Sequence, residues 1–254
     1  MRILIDTDLA QMTVEEGGGT RELPLFTPEA FSVLSRQWVR VGWAQRYSYS
    51  FTWLGRPMIQ LPEDVWRLQE VIWGLKPDVI VETGVAHGGS LIFYASLCQL
   101  AGRGRVIGVD IEIRPHNRRA IEAHPLANRI RLIEGSSVDE SVVRQVRTAV
   151  DGAPCVLVLL DSNHTKDHVR AELEAYSPMV TPGSYIVATD GIMLDLHDVP
   201  GGKPDWSWNH ATAAAREFVE AHPDFALEPP RRLFDESGLA EGVTYWPGGW
   251  IRRR

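Results

Sequence analysis

Cysteine is scarce in this chain: Cys98 and Cys155 are the only two. Both lie in apolar contexts, which leaves no basis for a disulfide-stapled fold and makes them buried, reduced core thiols. No apolar run reaches the ~20 residues that a membrane span needs. The amino terminus, MRILIDTDLAQMTVEEGG, lacks the basic stretch and long apolar segment of a signal peptide. Positive charge is also short. Lys and Arg total 26 against 33 Asp and Glu, a net charge of −7, which speaks against a nucleic-acid binder with its basic face. Arg252, Arg253 and Arg254 are too few to change that and are expected to form a solvated tail. There is no internal repeat and no low-complexity tract. The expectation is a cytoplasmic protein with no nucleic-acid partner and no membrane span.

What is present is a composition of 44% hydrophobic and 23% charged residues over 254 positions. That suits a globular protein with a sizeable core, built as one large domain or one domain with an extension. The first 25 residues are polar and glycine-dotted, the pattern of a loosely docked arm. TPEAFSVLSRQWVRV predicts a helix capped by Thr27, and LPEDVWRLQEVIWGLKP predicts a second that stops at Pro77.

After Pro77 the grammar changes. DVIVET, RVIGVDI, RIRLIEG, CVLVLLD and SYIVATD are short buried-strand runs, separated by helical segments of ten or more residues. Such alternation predicts parallel crossovers and an α/β sheet covered on both faces. A glycine-, proline- and tryptophan-rich stretch, Gly191 to Trp208, precedes a helix near His210 to Ala221, and further strands are expected at FALEP and GVTYW. The division expected is an arm and helical extension over residues 1–60 and one α/β domain over 61–254.

The stretch DVIVETGVAHGGSL places three glycines, Gly84, Gly88 and Gly89, and then Ser90 directly after the first strand. In open α/β sheets ligands sit at the carboxyl ends of the strands, where strand order reverses. Glycines there let a ligand approach the backbone, although a tight strand-to-helix turn would need them too. The spacing is neither the G-x-G-x-x-G of dinucleotide binders nor a P-loop. The second strand ends in Asp110, an acid that can accept both hydroxyls of a ribose. The third ends in Glu134-Gly135-Ser136-Ser137, where small polar groups could meet an adenine edge or cap the next helix. A nucleoside without a pyrophosphate suits this arrangement, and S-adenosylmethionine is the candidate.

DVIVETGVAHGGS, GRVIGVDIEIRPHNRRAIEAHP, RIRLIEGSS and LVLLDSNHTKDHV resemble the cephalosporin hydroxylase family, to which the rhamnosyl O-methyltransferases also belong. The similarity runs from about Gly55 to Phe218. It implies a Rossmann-like methyltransferase fold with a seven-stranded, mostly parallel sheet, bound S-adenosylmethionine, a divalent metal (usually Mg²⁺) and a homo-oligomer. The cofactor-binding residues expected on this basis are Glu82, Thr83, Gly84, Gly88, Gly89, Ser90, Asp110, Ile111, Ser136, Ser137 and Asp161.

Asp161 stands at the tip of the fourth strand and Asp190 at the tip of the fifth, within reach of one ion. Two carboxylates suit Mg²⁺, and the resemblance implies that Asp161 and Asp190 hold it. The family pattern has an acid just before the second ligand, where this chain has Thr189. Thr189 is expected to offer a neutral oxygen, or a water to replace the acid. His164, three residues after Asp161, is the candidate general base, with helix capping or loop packing as its structural alternative. His164 and His168 also have the i, i+4 spacing of an iron-oxygenase pair. Asp195, His197 and Asp198 are expected in a lid, and Trp206, Trp208, Asn209 and His210 in an acceptor pocket or in plain packing. The function implied is O-methylation of a small-molecule hydroxyl, first of all on a rhamnose-like deoxysugar of a natural product or glycolipid. The rivals are an oxygenase or methoxylation component for a β-lactam, and a non-catalytic S-adenosylmethionine-binding subunit.

Overall fold

The first 25 residues do not form the loose arm expected of them. In the computed structural model, which describes residues 1–254, they make a three-stranded antiparallel sheet: β1 (Arg2–Asp6), β2 (Gln11–Glu16) and β3 (Gly19–Pro24). The reason is a single apolar pair. Alternation along β2 puts Met12 and Val14 on one face, where they are buried against Ala30 of α1 (Pro28–Ala44). The Thr27 hydroxyl caps that helix by accepting from Ala30 N at 3.3 Å, as its sequence position predicts. A short hairpin of β4 (Thr52–Trp53) and β5 (Arg56–Pro57) follows. It leads into α2 (Pro62–Leu75), which Lys76 ends in a left-handed conformation.

The five apolar runs become β6 (Val79–Thr83), β7 (Arg105–Asp110), β8 (Ile130–Glu134), β9 (Val156–Leu160) and β10 (Tyr185–Ala188). They pair in parallel. The crossovers between them carry α3 (Gly89–Leu100), α4 (Pro115–Glu122), α5 (Glu140–Val150) and α6 (Lys166–Tyr176). After α7 (Ala211–Ala221) come β11 (Phe225–Leu227) and β12 (Trp250–Arg253). The seven strands lie in the order β11-β12-β10-β9-β6-β7-β8, and β12 runs antiparallel to both neighbours. One apolar layer packs Leu91, Phe93 and Trp246 on one face of the sheet. Another packs Val146, Leu173 and Phe218 on the other. This is the seven-stranded, mostly parallel Rossmann-like sheet that the resemblance implies. No helix is long and apolar enough to cross a membrane.

Two expectations fail at the carboxyl end. GVTYW is not a strand: Tyr245 and Trp246 are buried as loop residues, held where Asp64 accepts from Tyr245 N at 2.8 Å. The strand is WIRR, and Arg252 and Arg253 are therefore not a solvated tail. Ile251 is fully buried, while Arg252 pairs with Glu228 at 2.6 Å.

Strand order reverses at β6, which has β7 on one side and β9 on the other. Asp161 N donates to Thr83 O at 2.9 Å and Thr189 N to Leu160 O at 3.2 Å. The tips of β6, β9 and β10 thus meet at one place.

Candidate active site

The glycines after β6 are explained first by the chain itself. Gly84 has φ +89°, and a Cβ there would lie 2.0 Å from the Asp161 carbonyl oxygen. A Cβ on Gly89 would lie 2.1 Å from the Pro57 carbonyl oxygen, so the hairpin can rest on the start of α3 only because that side chain is missing. The loop is further tied down by Arg56, whose Nη2 donates to His87 O at 2.6 Å, and by Asn117, whose Nδ2 donates to Ala86 O at 2.8 Å. What remains is a narrow cleft lined by the loop from Gly84 to Ser90, by Pro57, Ile59 and Gln60, and by Asp161.

Two of the residues expected to bind a cofactor, Glu82 and Thr83, keep their side chains beneath this loop. Glu82 is fully buried; its Oε2 accepts from Ser90 Oγ and its Oε1 from Tyr94 Oη, each at 2.6 Å. Burial pushes its pKa up to about 7. Thr83 is also fully buried, so neither side chain faces the cleft. Asp110 spends Oδ2 on the backbone N–H groups of Val85 and Ala86, at 2.7 and 3.1 Å, and Oδ1 accepts from Glu112 N at 3.2 Å. The carboxylate assigned to a ribose thus already shapes the glycine loop. Ile111 is 74% exposed beyond the strand tip. Ser136 is half-buried. Ser137 is buried, with Oγ 3.2 Å from His168 Nε2.

Beyond the loop lies a compact group of ionisable residues. One ligand atom each from Asp161, His164 and Asp190 fall within 4.8 Å of one another. His164 Nε2 is 3.4 Å from Asp190 Oδ2, and His164 Nδ1 is buried without a partner. Asp161 takes two hydrogen bonds. Gln60 Nε2 donates to Oδ2 at 2.9 Å, and Thr189 Oγ1 lies 2.6 Å from Oδ1. Burial, then repulsion from Asp190, holds the Asp161 carboxyl well above the ordinary range, while His164 pulls it down. Two carboxylates and an imidazole around one point are a donor set that fits a divalent cation. Thr189 is 1% exposed, and its hydroxyl is turned to Asp161 as a supporting group.

Other expectations separate. His168 does not join His164: it sits 3.5 Å from the buried Glu172, with Ser162 Oγ at 3.2 Å, so the iron-type histidine pair is not assembled. Asp198 pairs with Arg40 at 2.8 Å and Asp195 with Arg36 at 3.8 Å, which anchors that loop to α1. Trp206 packs edge-on against Trp43. Asn209 Oδ1 accepts from Lys166 N at 2.8 Å, and His210 caps α7. Of the expected acceptor-pocket set, Trp208 alone is strongly exposed, at 63%. Gln60 was missed in the sequence. Its partner Asp161 lies 101 residues away, and no local pattern links the two.

The family profile described as Rhamnosyl O-methyltransferase/CmcI matches residues 45–254. The chain belongs to this family. A curated member, the rhamnosyl O-methyltransferase of Mycobacterium bovis (strain BCG / Pasteur 1173P2), is 28% identical over 178 residues, covering 68% of this chain and 66% of the relative. The Mycobacterium leprae enzyme of the same name is 30% identical over 141 residues, 55% of this chain and 59% of its own. The chain thus spans a little under two thirds of the length of these family members. Among solved structures, CmcI with magnesium and S-adenosylmethionine aligns with a TM-score of 0.54 at 19% identity, covering 81% of this chain and 77% of that one. The CmcI apo-structure gives 0.54 at 20% identity, covering 81% and 76%. At these identities the structural likeness establishes the family fold.

Proposed function

We propose that this protein is an S-adenosylmethionine- and divalent-cation-dependent O-methyltransferase acting on a hydroxyl of a small, sugar-containing molecule, with a rhamnose-like deoxysugar as the first choice. One observation carries the reading. The glycine-loop cleft and the Asp161–His164–Asp190 group meet at the strand-order reversal, and Asp161 belongs to both. The names of the mycobacterial relatives support the sugar.

In this reading the nucleoside lies across the tips of β6, β7 and β8, near Asp110, Ile111, Ser136 and Ser137. The cofactor's methionyl end enters the cleft between Gly84 and Ser90. Asp161 and Asp190 would hold the cation, Mg²⁺ in the first instance. When bound, such an ion lowers the pKa of a hydroxyl placed on it. His164 receives the hydroxyl proton at Nε2, the ring nitrogen that faces the carboxylates, and Asp190 Oδ2 at 3.4 Å stabilises the resulting imidazolium. Asp161, pinned from two sides by Gln60 and Thr189, keeps a fixed carboxylate plane toward the reacting oxygen. Residues 1–60 bring Pro57, Ile59 and Gln60 to the cofactor cleft and otherwise cover the acceptor side or meet another subunit, while 61–254 form the transferase domain, working in the cytoplasm as a homo-oligomer.

The test is incubation with methyl-labelled S-adenosylmethionine and a panel of rhamnosides and nucleotide-linked deoxysugars. Label should pass to a sugar hydroxyl and stop when the cation is chelated. A requirement for iron and oxygen, or cofactor binding with no transfer to any acceptor, overturns the reading.

A further inference from the structure

Gln60 ends the segment that joins the β4–β5 hairpin to α2 and also lines, with Met58, Val65 and Phe93, a second pocket on its other side. Its neighbours there are mostly apolar. The chain buries an amide there, 7% exposed. Burying an amide without full pairing is costly, so its polar atoms call for partners. One is in place: Nε2 donates to Asp161 Oδ2 at 2.9 Å. With Asp161 ionised, as cation binding requires, the nitrogen is the amide atom that faces it. The carbonyl oxygen Oε1 takes no hydrogen bond from the protein and stays open to a partner from outside it.

That oxygen belongs to a side chain lining the same cleft as Gly84, Gly89, Ser90 and Asp161, and no lysine or arginine lines it. Asp161 brings negative charge, and Asp190 adds to it close by. The first amides of α3 lack helical partners and favour an anion at the same cleft. An unpaired acceptor beside a carboxylate, across from a helix amino end, matches a zwitterion. A primary ammonium supplies three donors and one positive charge, and a carboxylate suits the helix.

We propose that Gln60 is the residue that recognises the α-ammonium group of the cofactor's amino-acid end: Oε1 accepts one of its N–H groups while Asp161 provides the opposing charge. Gln60 thereby selects ligands that carry this group. The inference rests on the cofactor reading given above.

Calorimetry on the full chain separates the two. The probes are S-adenosylhomocysteine, its deaminated analogue, and 5′-methylthioadenosine, which lacks the amino-acid end. The variant is Gln60→Met, close in length and apolar. The parent should bind S-adenosylhomocysteine in clear preference to the deaminated analogue. Gln60→Met should lose roughly ten- to hundredfold in affinity for S-adenosylhomocysteine, the range for a hydrogen bond to a charged group. It should bind the other two probes as the parent does. An unchanged preference in the variant overturns the role of Gln60, and so does an equal loss for all three probes, which marks a structural residue. A parent that binds none of the three overturns the cofactor reading itself, and that failure is visible without any variant.

Discussion

Thr189 Oγ1 lies 2.6 Å from Asp161 Oδ1 and 2.9 Å from the Leu160 carbonyl oxygen. The position where the family pattern has an acid is therefore filled by a donor to the neighbouring carboxylate. A hydroxyl has one proton, and once Asp161 is ionised, as cation binding requires, that carboxylate at the shorter distance takes it. The site then carries fewer negative charges, and the carboxylate that remains is held more firmly.

Thr189→Asp should reverse this balance. The new carboxylate would stand against Asp161 in a position 1% exposed, so the metal-free variant should melt well below the parent. Added Mg²⁺ should raise its melting temperature by more than it raises the parent's, because the ion relieves the repulsion. Thr189→Val, which only removes the donor, should cost ~1–3 kcal/mol and gain nothing extra from the ion. A Thr189→Asp variant with a parent-like Mg²⁺ shift would show that this position does not act on the cation.

Gly89 and Gly74 should respond oppositely to alanine. At Gly89 the new Cβ would meet Pro57 O at 2.1 Å, Pro57 C at 2.6 Å and Met58 Cα at 2.7 Å. All three are backbone atoms, so the hairpin must move. Gly89→Ala should destabilise by more than ~2 kcal/mol, at the upper end of ordinary point substitutions. Gly74, inside α2, has nothing within 4 Å of its Cβ position, and Gly74→Ala should stabilise by ~0.5–1 kcal/mol. Urea titrations of the two variants measure both. If Gly89→Ala unfolds with the parent, the loop glycine is not needed for the hairpin's approach.

The strands that were legible are those with an uninterrupted apolar run, such as VLVLL of β9, which is buried along its whole length. The amino-terminal sheet was not. Its strands are mostly exposed, and only Met12 and Val14 of β2 are buried. GVTYW has the composition of a strand, but Asp64, 181 residues from Tyr245, fixes it as a loop. The same contrast holds at the site. The strand-tip rule brought Asp161 and Asp190 forward as candidates, and their carboxylates lie together in the fold. Gln60, Glu82 and Asp110 depend on partners that no local pattern reveals. The glycine loop was legible as a close approach, but not that Pro57 and Asp161 were the things approached.

Glu82 and Asp64 should make stability fall between mildly acidic and neutral pH. Burial raises both carboxyls to about 7, from ordinary values of 4.5 and 3.8. The folded state therefore keeps protons that the unfolded chain releases. This stabilisation is complete below about pH 4 and is lost as the pH rises through about 7. The metal-free Asp161, also shifted upward, adds to the same trend. Glu82→Gln cannot ionise, and its amide can still bond Ser90 and Tyr94. It should flatten the fall by up to about 3 kcal/mol, read from chemical unfolding at pH 5 and pH 8 in chelator. A parent-like slope in the variant would mean that Glu82 stays ionised throughout.

The Asp161–His164–Asp190 group should fail in different ways at its three members. Asp161 lines the cleft and accepts from Gln60 and Thr189, so Asp161→Asn disturbs both the cation site and the inner wall of the cofactor cleft. It should lose cation binding and nearly all turnover. The nucleoside part of the cofactor, resting on other strands, should still bind, as 5′-methylthioadenosine can report. Asp190→Asn keeps the shape but removes the charge 3.4 Å from His164 Nε2, so it should weaken the cation and also leave an imidazolium unstabilised. His164→Ala isolates the proton transfer. It should keep cation and cofactor affinity, lose ~10²–10⁴-fold in turnover, and recover rate as the pH rises and hydroxide takes the proton instead. The discriminating measurement is the pH–rate profile of His164→Ala beside its Mg²⁺ affinity. A steep loss of Mg²⁺ binding in that variant would make the imidazole a ligand. An unchanged rate and profile would leave the hydroxyl to be activated without it.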